Sequence, residues 1–208
     1  MRGKFVTFEG CEGVGKSRQI RELCSLLESK QIKYRLVREP GGTSISEKIR
    51  EIILDGNNDA MCFKCEALLY AASREQLVKE IIAPALAEGE LVLCDRYIDS
   101  SLAYQGYARG LGFDYVEKIN SAAAGEYMPD CTVFLNLDPI KAFMRKGGAD
   151  KNDRLELSGT EFHKKVYEGY LKLAEKYRER FIVIDAGGTR EQTQEKIVCA
   201  LKQRGIID

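Results

Sequence analysis

Histidine is almost missing from this chain: its 208 residues include one, His163. A Ser-His-Asp arrangement or a multi-histidine zinc centre would have to run on that single ring. Net charge is missing as well, because 32 Lys and Arg balance 32 Asp and Glu. The whole molecule therefore has no field to draw nucleic acid or an acidic membrane, and any basic site must be local. No stretch approaches the ~18 apolar residues of a membrane span. The run Phe5-Val6-Thr7-Phe8 is too short for a signal peptide, which points to the cytoplasm. Seven cysteines, an odd number, are scattered at 11, 24, 62, 65, 94, 131 and 199. Several lie in apolar runs, as reduced buried thiols do in a reducing compartment. Cys62 and Cys65 form a lone CxxC without the further ligands a zinc site takes. Internal repeats, low-complexity segments and linkers are absent, so residues 1–208 read as one domain.

What is present is an ordinary globular composition, 44% hydrophobic and 31% charged. Short β-branched runs alternate with helix-period segments. Strands are expected at Phe5–Phe8, Tyr34–Val37, Leu91–Cys94, Thr132–Leu137 and Phe181–Ile184. Ile20, Leu23, Cys24 and Leu27 follow helical spacing, as do Ile45, Ile49, Ile52 and Ile53. Further helices are expected over 66–87, with Pro84 a kink or end, around Val166 to Ala174, and from Ile197 to Leu201. That alternation predicts an α/β fold with a mostly parallel sheet covered on both faces. The polar stretch Lys146-Gly147-Gly148-Ala149-Asp150-Lys151-Asn152-Asp153 reads as a mobile loop.

Gly10-Cys11-Glu12-Gly13-Val14-Gly15-Lys16-Ser17 fits GxxxxGK[ST] between the first strand and the first helix, with Arg18 following. Glycines let successive N–H groups turn toward phosphate oxygens, and the helix N-terminus adds positive potential. Lys16 supplies a point charge to the β- and γ-phosphates, and the Ser17 hydroxyl is a ligand for Mg²⁺. Asp95 ends an apolar strand, where a carboxylate meets the metal. The loop permits a GTPase, a motor ATPase or a small-molecule kinase. No Asn-Lys-x-Asp guanine motif occurs, and the chain is neither large nor basic.

The remaining motifs narrow the choice. Asp95-Arg96-Tyr97-Ile98-Asp99-Ser100-Ser101-Leu102-Ala103-Tyr104-Gln105-Gly106 resembles the DRYxxSxxAYQG signature of the thymidylate kinase family. Arg38-Glu39-Pro40-Gly41-Gly42-Thr43 is similar to its REPGGT loop, and Leu69-Tyr70-Ala71-Ala72-Ser73-Arg74 to its aromatic-Ala-Ala-x-Arg helix. Asp153-Arg154-Leu155-Glu156 looks like the end of its lid, and Asp185-Ala186 like the strand end beside its adenine pocket. These blocks run in the family's order from residue 5 to 186.

The resemblance implies a three-layer P-loop kinase fold whose five-stranded parallel sheet is flanked by helices on both faces. It also implies a homodimer, Mg²⁺ as cofactor, and transfer of the ATP γ-phosphate to dTMP, a step toward dTTP. Arg96 would hold the dTMP phosphate, joined by Arg50, while Asp95 orients the acceptor and the metal's waters. Tyr70 would stack on thymine and Arg74 would donate to its O4, the two being four apart on a helix. Gln105 suits the thymine N3–H, with Ser101 four residues earlier. Tyr104 would crowd a ribose 2′ position, and Glu12 and Glu39 would lie near the 3′-hydroxyl. The plainer readings are core packing for Tyr70 and Tyr104, surface charge for Arg74 and Arg50, and turn-fixing for Glu39.

Some family members carry an arginine in the phosphate loop. Here Glu12-Gly13 stand there, as in the bacterial type that supplies arginines from the lid. That lid, about 141–156, holds Arg145, Lys146, Lys151 and Arg154, with Ala149 where another arginine is expected. Arg145 is the first candidate to cover the transferring phosphoryl, and Arg154 the second. The competing readings are another nucleoside or deoxynucleoside monophosphate kinase, or an ATP-binding switch without turnover.

Overall fold

The computed structural model describes residues 2–146, 154, 155 and 158–207. Five strands form: β1 (Phe5–Glu9), β2 (Tyr34–Arg38), β3 (Leu91–Asp95), β4 (Cys131–Asn136) and β5 (Phe181–Asp185). All pair in parallel, in the order β2-β3-β1-β4-β5. β1 is buried throughout, and β3 and β4 along all but their last residue. That burial on both faces is why these segments are continuous apolar runs rather than alternating ones. Each strand lies within a residue or so of its expected place; the β4 run starts one residue earlier, at Cys131.

The helices are α1 (Lys16–Ser29), α2 (Ser44–Leu54), α3 (Phe63–Leu77), α4 (Ala83–Ala87), α5 (Ile98–Ser101), α6 (Phe113–Ala124), α7 (Pro139–Lys146), α8 (Thr160–Lys176) and α9 (Arg190–Gln203). Helix α1 packs with α9, while α3, α6 and α8 gather around a wide helical segment at Leu102–Ala108. Two helical segments are π-type. Val78–Ile82 joins α3 to α4, with the Ala83 N–H reaching back five residues to the Val78 carbonyl. Pro84 has no N–H to give, so the expected helix over 66–87 widens just ahead of it instead of breaking. The second, Leu102–Ala108, lies against α8 at Gly169, where a Cβ would come 3.2 Å from the Ala103 Cα. A side chain there would make the two segments give by a few tenths of an ångström.

The α2 stripe is the main departure from expectation. Ile53 is fully buried, but Ile45 and Ile52 are 52% and 48% exposed. Among the described residues no helix is long and apolar enough to cross a membrane.

Sheet order places the site. β1 lies between β3 and β4, and the chain leaves it toward α1, the reversal at which ligands of parallel sheets bind. The Arg96 N–H donates to Phe8 O at 3.0 Å, and the Glu39 N–H to Asp95 O at 3.0 Å. The carboxyl ends of β1, β2 and β3 are thereby laced into one rim.

Candidate active site

The phosphate loop leaves β1 at Gly10 and enters α1 through Gly15. Gly13 and Gly15 have φ of 79° and 98°, the left-handed region where a side chain is strained. A Cβ at Gly15 would meet nothing within 4 Å, so the glycine is there for backbone geometry and not for lack of room. The Lys16 ammonium lies across this loop, donating to Gly10 O at 3.1 Å and Cys11 O at 3.3 Å. Burial pulls its pKa below the usual lysine range, with Arg96 adding to that and Glu12 and Asp95 opposing it. The Ser17 hydroxyl donates to Asp95 Oδ2 at 3.1 Å. Asp95 Oδ1 is buried with no hydrogen-bond partner among the described residues. A hydroxyl and a carboxylate oxygen side by side form the donor set that Mg²⁺ takes. Among the described residues no three His, Cys, Asp or Glu form a cage, and Mg²⁺ is usually held by one or two protein oxygens together with water and phosphate.

Arg96 stands beside the loop. Its φ of 70° is rare for a residue with a side chain and costs about 1–2 kcal/mol. The surroundings hold it there. Nη1 donates to Gly10 O (3.1 Å), Ser100 Oγ (3.2 Å) and Tyr170 OH (3.3 Å), Nη2 to Glu12 Oε1, and the guanidinium lies 5.3 Å from the Tyr104 ring centre. Behind it Glu9 is wholly buried. Its carboxylate accepts from the Tyr97 N–H (2.8 Å), Ser100 Oγ (2.6 Å) and Tyr170 OH (2.8 Å). Burial, reinforced by Asp99, pushes Glu9 up to about 7 against the pull of Arg96.

A cleft of about 250 Å³ opens between these groups and α3. It is lined by Lys16, Ser17 and Asp95 and by all nine residues expected at a nucleoside monophosphate: Glu12, Glu39, Arg50, Tyr70, Arg74, Arg96, Ser101, Tyr104 and Gln105. Arg74 is no surface charge, being 1% exposed. It ion-pairs with Glu39, donates to Asn120 Oδ1 and to Ser101 Oγ (3.2 Å), and lies 5.0 Å from the Tyr97 ring centre. Burial raises Glu39 to about 7 although Arg74 draws it down. Arg50 donates to Pro40 O at 3.0 Å.

Glu39 Oε1, Arg74 Nε, Asp95 Oδ1 and Tyr104 OH are buried and lack a hydrogen-bond partner among the described residues. All four residues line this cleft. Buried orphans cost roughly 1–3 kcal/mol each, and four on one cavity mark a surface made for a polar ligand.

A thymidylate kinase family model matches residues 8–197 of the chain. A thymidylate kinase of Bacillus velezensis is 49% identical over 193 residues, 92% of this chain and 91% of that protein. Those of Lactobacillus helveticus and Clostridium novyi are 48% and 47% identical, over 98% and 97% of this chain and 98% and 99% of theirs. The chain belongs to the thymidylate kinase family.

Against that family's expected layout, the lid arginines are the surprise. Arg145 donates to Ala186 O (2.8 Å) and Gly187 O (3.0 Å), beyond the end of β5. Arg154 donates to Glu66 Oε2 (2.6 Å) and Ile53 O (3.1 Å). Neither is among the residues that line the cleft in this structure. Main-chain carbonyls at one end and a buried carboxylate at the other draw the two guanidiniums apart. Arg18 pairs with Glu22 on the helix surface at 2.7 Å. Ala149, Lys151, Asp153, Glu156 and the Lys146 side chain lie outside the described residues. Cys62 and Cys65 are exposed free thiols.

Sequence reasoning missed Glu9, Glu66, Asn120 and Tyr170, which hold the thymidylate kinase site together from behind. Glu9 left a signal, a carboxylate closing an apolar strand. The others are ordinary helix residues until the packing brings them in.

Proposed function

We propose that this thymidylate kinase family member phosphorylates dTMP to dTDP with ATP as donor, in the cytoplasm, on the path to dTTP. The single observation that carries this is the orphan-lined cleft beside the phosphate loop. An oxygen of the dTMP phosphate attacks the γ-phosphorus, and the bond to the β–γ bridging oxygen breaks, leaving ADP. The loop N–H groups and Lys16 act on the ATP phosphates, with Lys16 leaving its seat on Gly10 and Cys11 to do so. Ser17 and Asp95 would hold Mg²⁺, whose charge would offset that of the negative phosphates.

Arg96 holds the acceptor phosphate in a bidentate fork, exchanging Glu12 for it, and Arg50 assists. Arg74 and Gln105 read the pyrimidine edge and Tyr70 stacks on its face. Tyr104 guards the 2′ position, and Glu39 Oε1 accepts from the 3′-hydroxyl. Arg145 and Arg154 are the lid cations, and to reach the transferring phosphoryl each must leave its present partners.

The test is ADP formation against a panel of nucleoside monophosphates with Mg-ATP. dTMP should react fastest and dUMP more slowly, since one methyl group is worth about 1–3 kcal/mol. dCMP, AMP and GMP should barely react, and equal rates for dCMP and dTMP would overturn the reading.

The exposed stripe of α2 supports a homodimer. Ile45 and Ile52 stand out on it, and Leu68 on the neighbouring α3 is 49% exposed. Exposed apolar side chains on two helices that pack together suit a second copy of the chain. Sedimentation should give twice the chain mass, and Ile52→Glu should give the monomer. A wild-type monomer would end the idea.

A further inference from the structure

We infer that Glu66 sets base specificity without touching the base, by fixing which end of the Gln105 amide faces the pyrimidine. The inference rests on the reading of Gln105 as the residue that meets N3 and adds the reason it discriminates. A glutamine amide carries a donor end and an acceptor end of nearly equal shape, and by rotation it can offer either to a ligand. Such a residue alone would accept a thymine, whose N3 is a donor, and a cytosine, whose N3 is an acceptor.

Glu66 removes that freedom. It is wholly buried in the first turn of α3. Arg154 lies 2.6 Å from its Oε2, and Arg109 lies 3.4 Å from each oxygen. Arg109 is steadied by two aromatic rings, its guanidinium lying 4.8 and 4.3 Å from the ring centres of Phe63 and Phe162. A carboxylate whose two oxygens both face the Arg109 guanidinium only accepts hydrogen bonds, and it does so whether or not Arg154 stays. Gln105, 1% exposed, therefore gives its Nε2–H to Glu66 Oε1 at 2.9 Å. Its Oε1 enters no hydrogen bond among the described residues and is left for the cleft that Gln105 lines. A carbonyl there accepts from the N3–H of thymine or uracil and opposes the N3 lone pair of cytosine. Turning the amide would place two acceptor oxygens face to face in a buried site, a mismatch that proteins avoid.

Glu66 is thus a positioning residue, and the readout is a ratio. In Glu66→Gln the new amide can donate to Gln105, so Gln105 can turn. The preference of kcat/KM for dTMP over dCMP should fall at least tenfold, with dCMP turnover rising in absolute terms and KM for ATP unchanged. A merely structural Glu66 would depress both substrates alike. A dTMP/dCMP ratio within twofold of wild type overturns the inference. Should Glu66→Gln not fold, Glu66→Asp keeps the charge and both arginines but withdraws the acceptor from Gln105. It should lower the same ratio at least threefold, and an unchanged ratio there is equally fatal. The wild-type panel separates the two readings: a wild-type enzyme indifferent to dTMP sinks the proposed function, whereas a selective wild type with selective variants sinks only the role of Glu66.

Discussion

The phosphate end and the base end of the cleft are built in opposite ways. The phosphate end is framed by the backbone of one contiguous octapeptide, Gly10 to Ser17, whose geometry is local. The base end is lined by side chains from the loop after β2, from α3, from α5 and from the Leu102–Ala108 segment, held by a buried polar network in which Arg74, Glu39, Glu66 and Asn120 are each under 5% exposed. A backbone cradle keeps its shape when a side chain is cut, so mutations there should change chemistry and spare the fold. A buried charge network loses partners when any member is cut, so mutations there should damage both.

The largest expected effect tests the first half of that contrast. Lys16→Ala should lower kcat by about 10²- to 10³-fold, since it removes a cation acting where charge develops, while the melting temperature stays within a few degrees of wild type. Near-normal turnover in a folded Lys16→Ala enzyme would break the phosphate-loop assignment.

Arg74→Ala should strike both properties. It strands Glu39 in the interior, at a cost of about 3 kcal/mol in unfolding free energy. KM for dTMP should rise at least tenfold while KM for ATP holds. Denaturant titration and paired kinetics would show it, and an unchanged KM for dTMP would leave Arg74 as a purely structural residue.

Buried carboxylates, one behind Arg96 and one beside Arg74, also give the cleft a pH signature. Glu9 and Glu39 titrate near 7 in the folded protein against an ordinary value of 4.5. The folded state therefore binds more protons than the unfolded one between those limits. Their contribution is complete below 4.5 and is lost as pH rises through 7. Acidifying from pH 8 to pH 6 should raise stability by about 3 kcal/mol, read as a rise in melting temperature. Glu9→Gln should remove about half of that rise, and a flat profile in wild type would refute the burial argument.

Arg145 tests where the phosphate end stops. As the lid cation, Arg145→Ala should cut kcat about tenfold with KM for dTMP unchanged. If only KM for ATP rises, the residue acts from its seat on Ala186 and Gly187. The smallest effect is expected outside both regions: Cys62→Ser with Cys65→Ser should leave activity and stability within about 0.5 kcal/mol of wild type. A larger loss would mean these exposed thiols have a role the cleft does not explain.

Family membership, the phosphate loop and the strand ends were readable because each is a contiguous string whose geometry its own residues enforce. The glycines at 13 and 15 permit φ values that other residues resist, and β1, β3 and β4 are apolar because both faces are covered. The nine residues expected at the nucleotide were named through motif resemblance, and the fold brings all nine to one cleft. Tertiary structure alone decided which groups hold them. Nothing local marks Glu66 as the partner of Gln105, Arg109 and Arg154, or turns Arg145 to a carbonyl pair 41 residues on. It also decided that Ile45 and Ile52 face outward on a helix whose spacing suits either direction. A period records that one face is apolar, whereas what covers that face depends on the packing of distant segments.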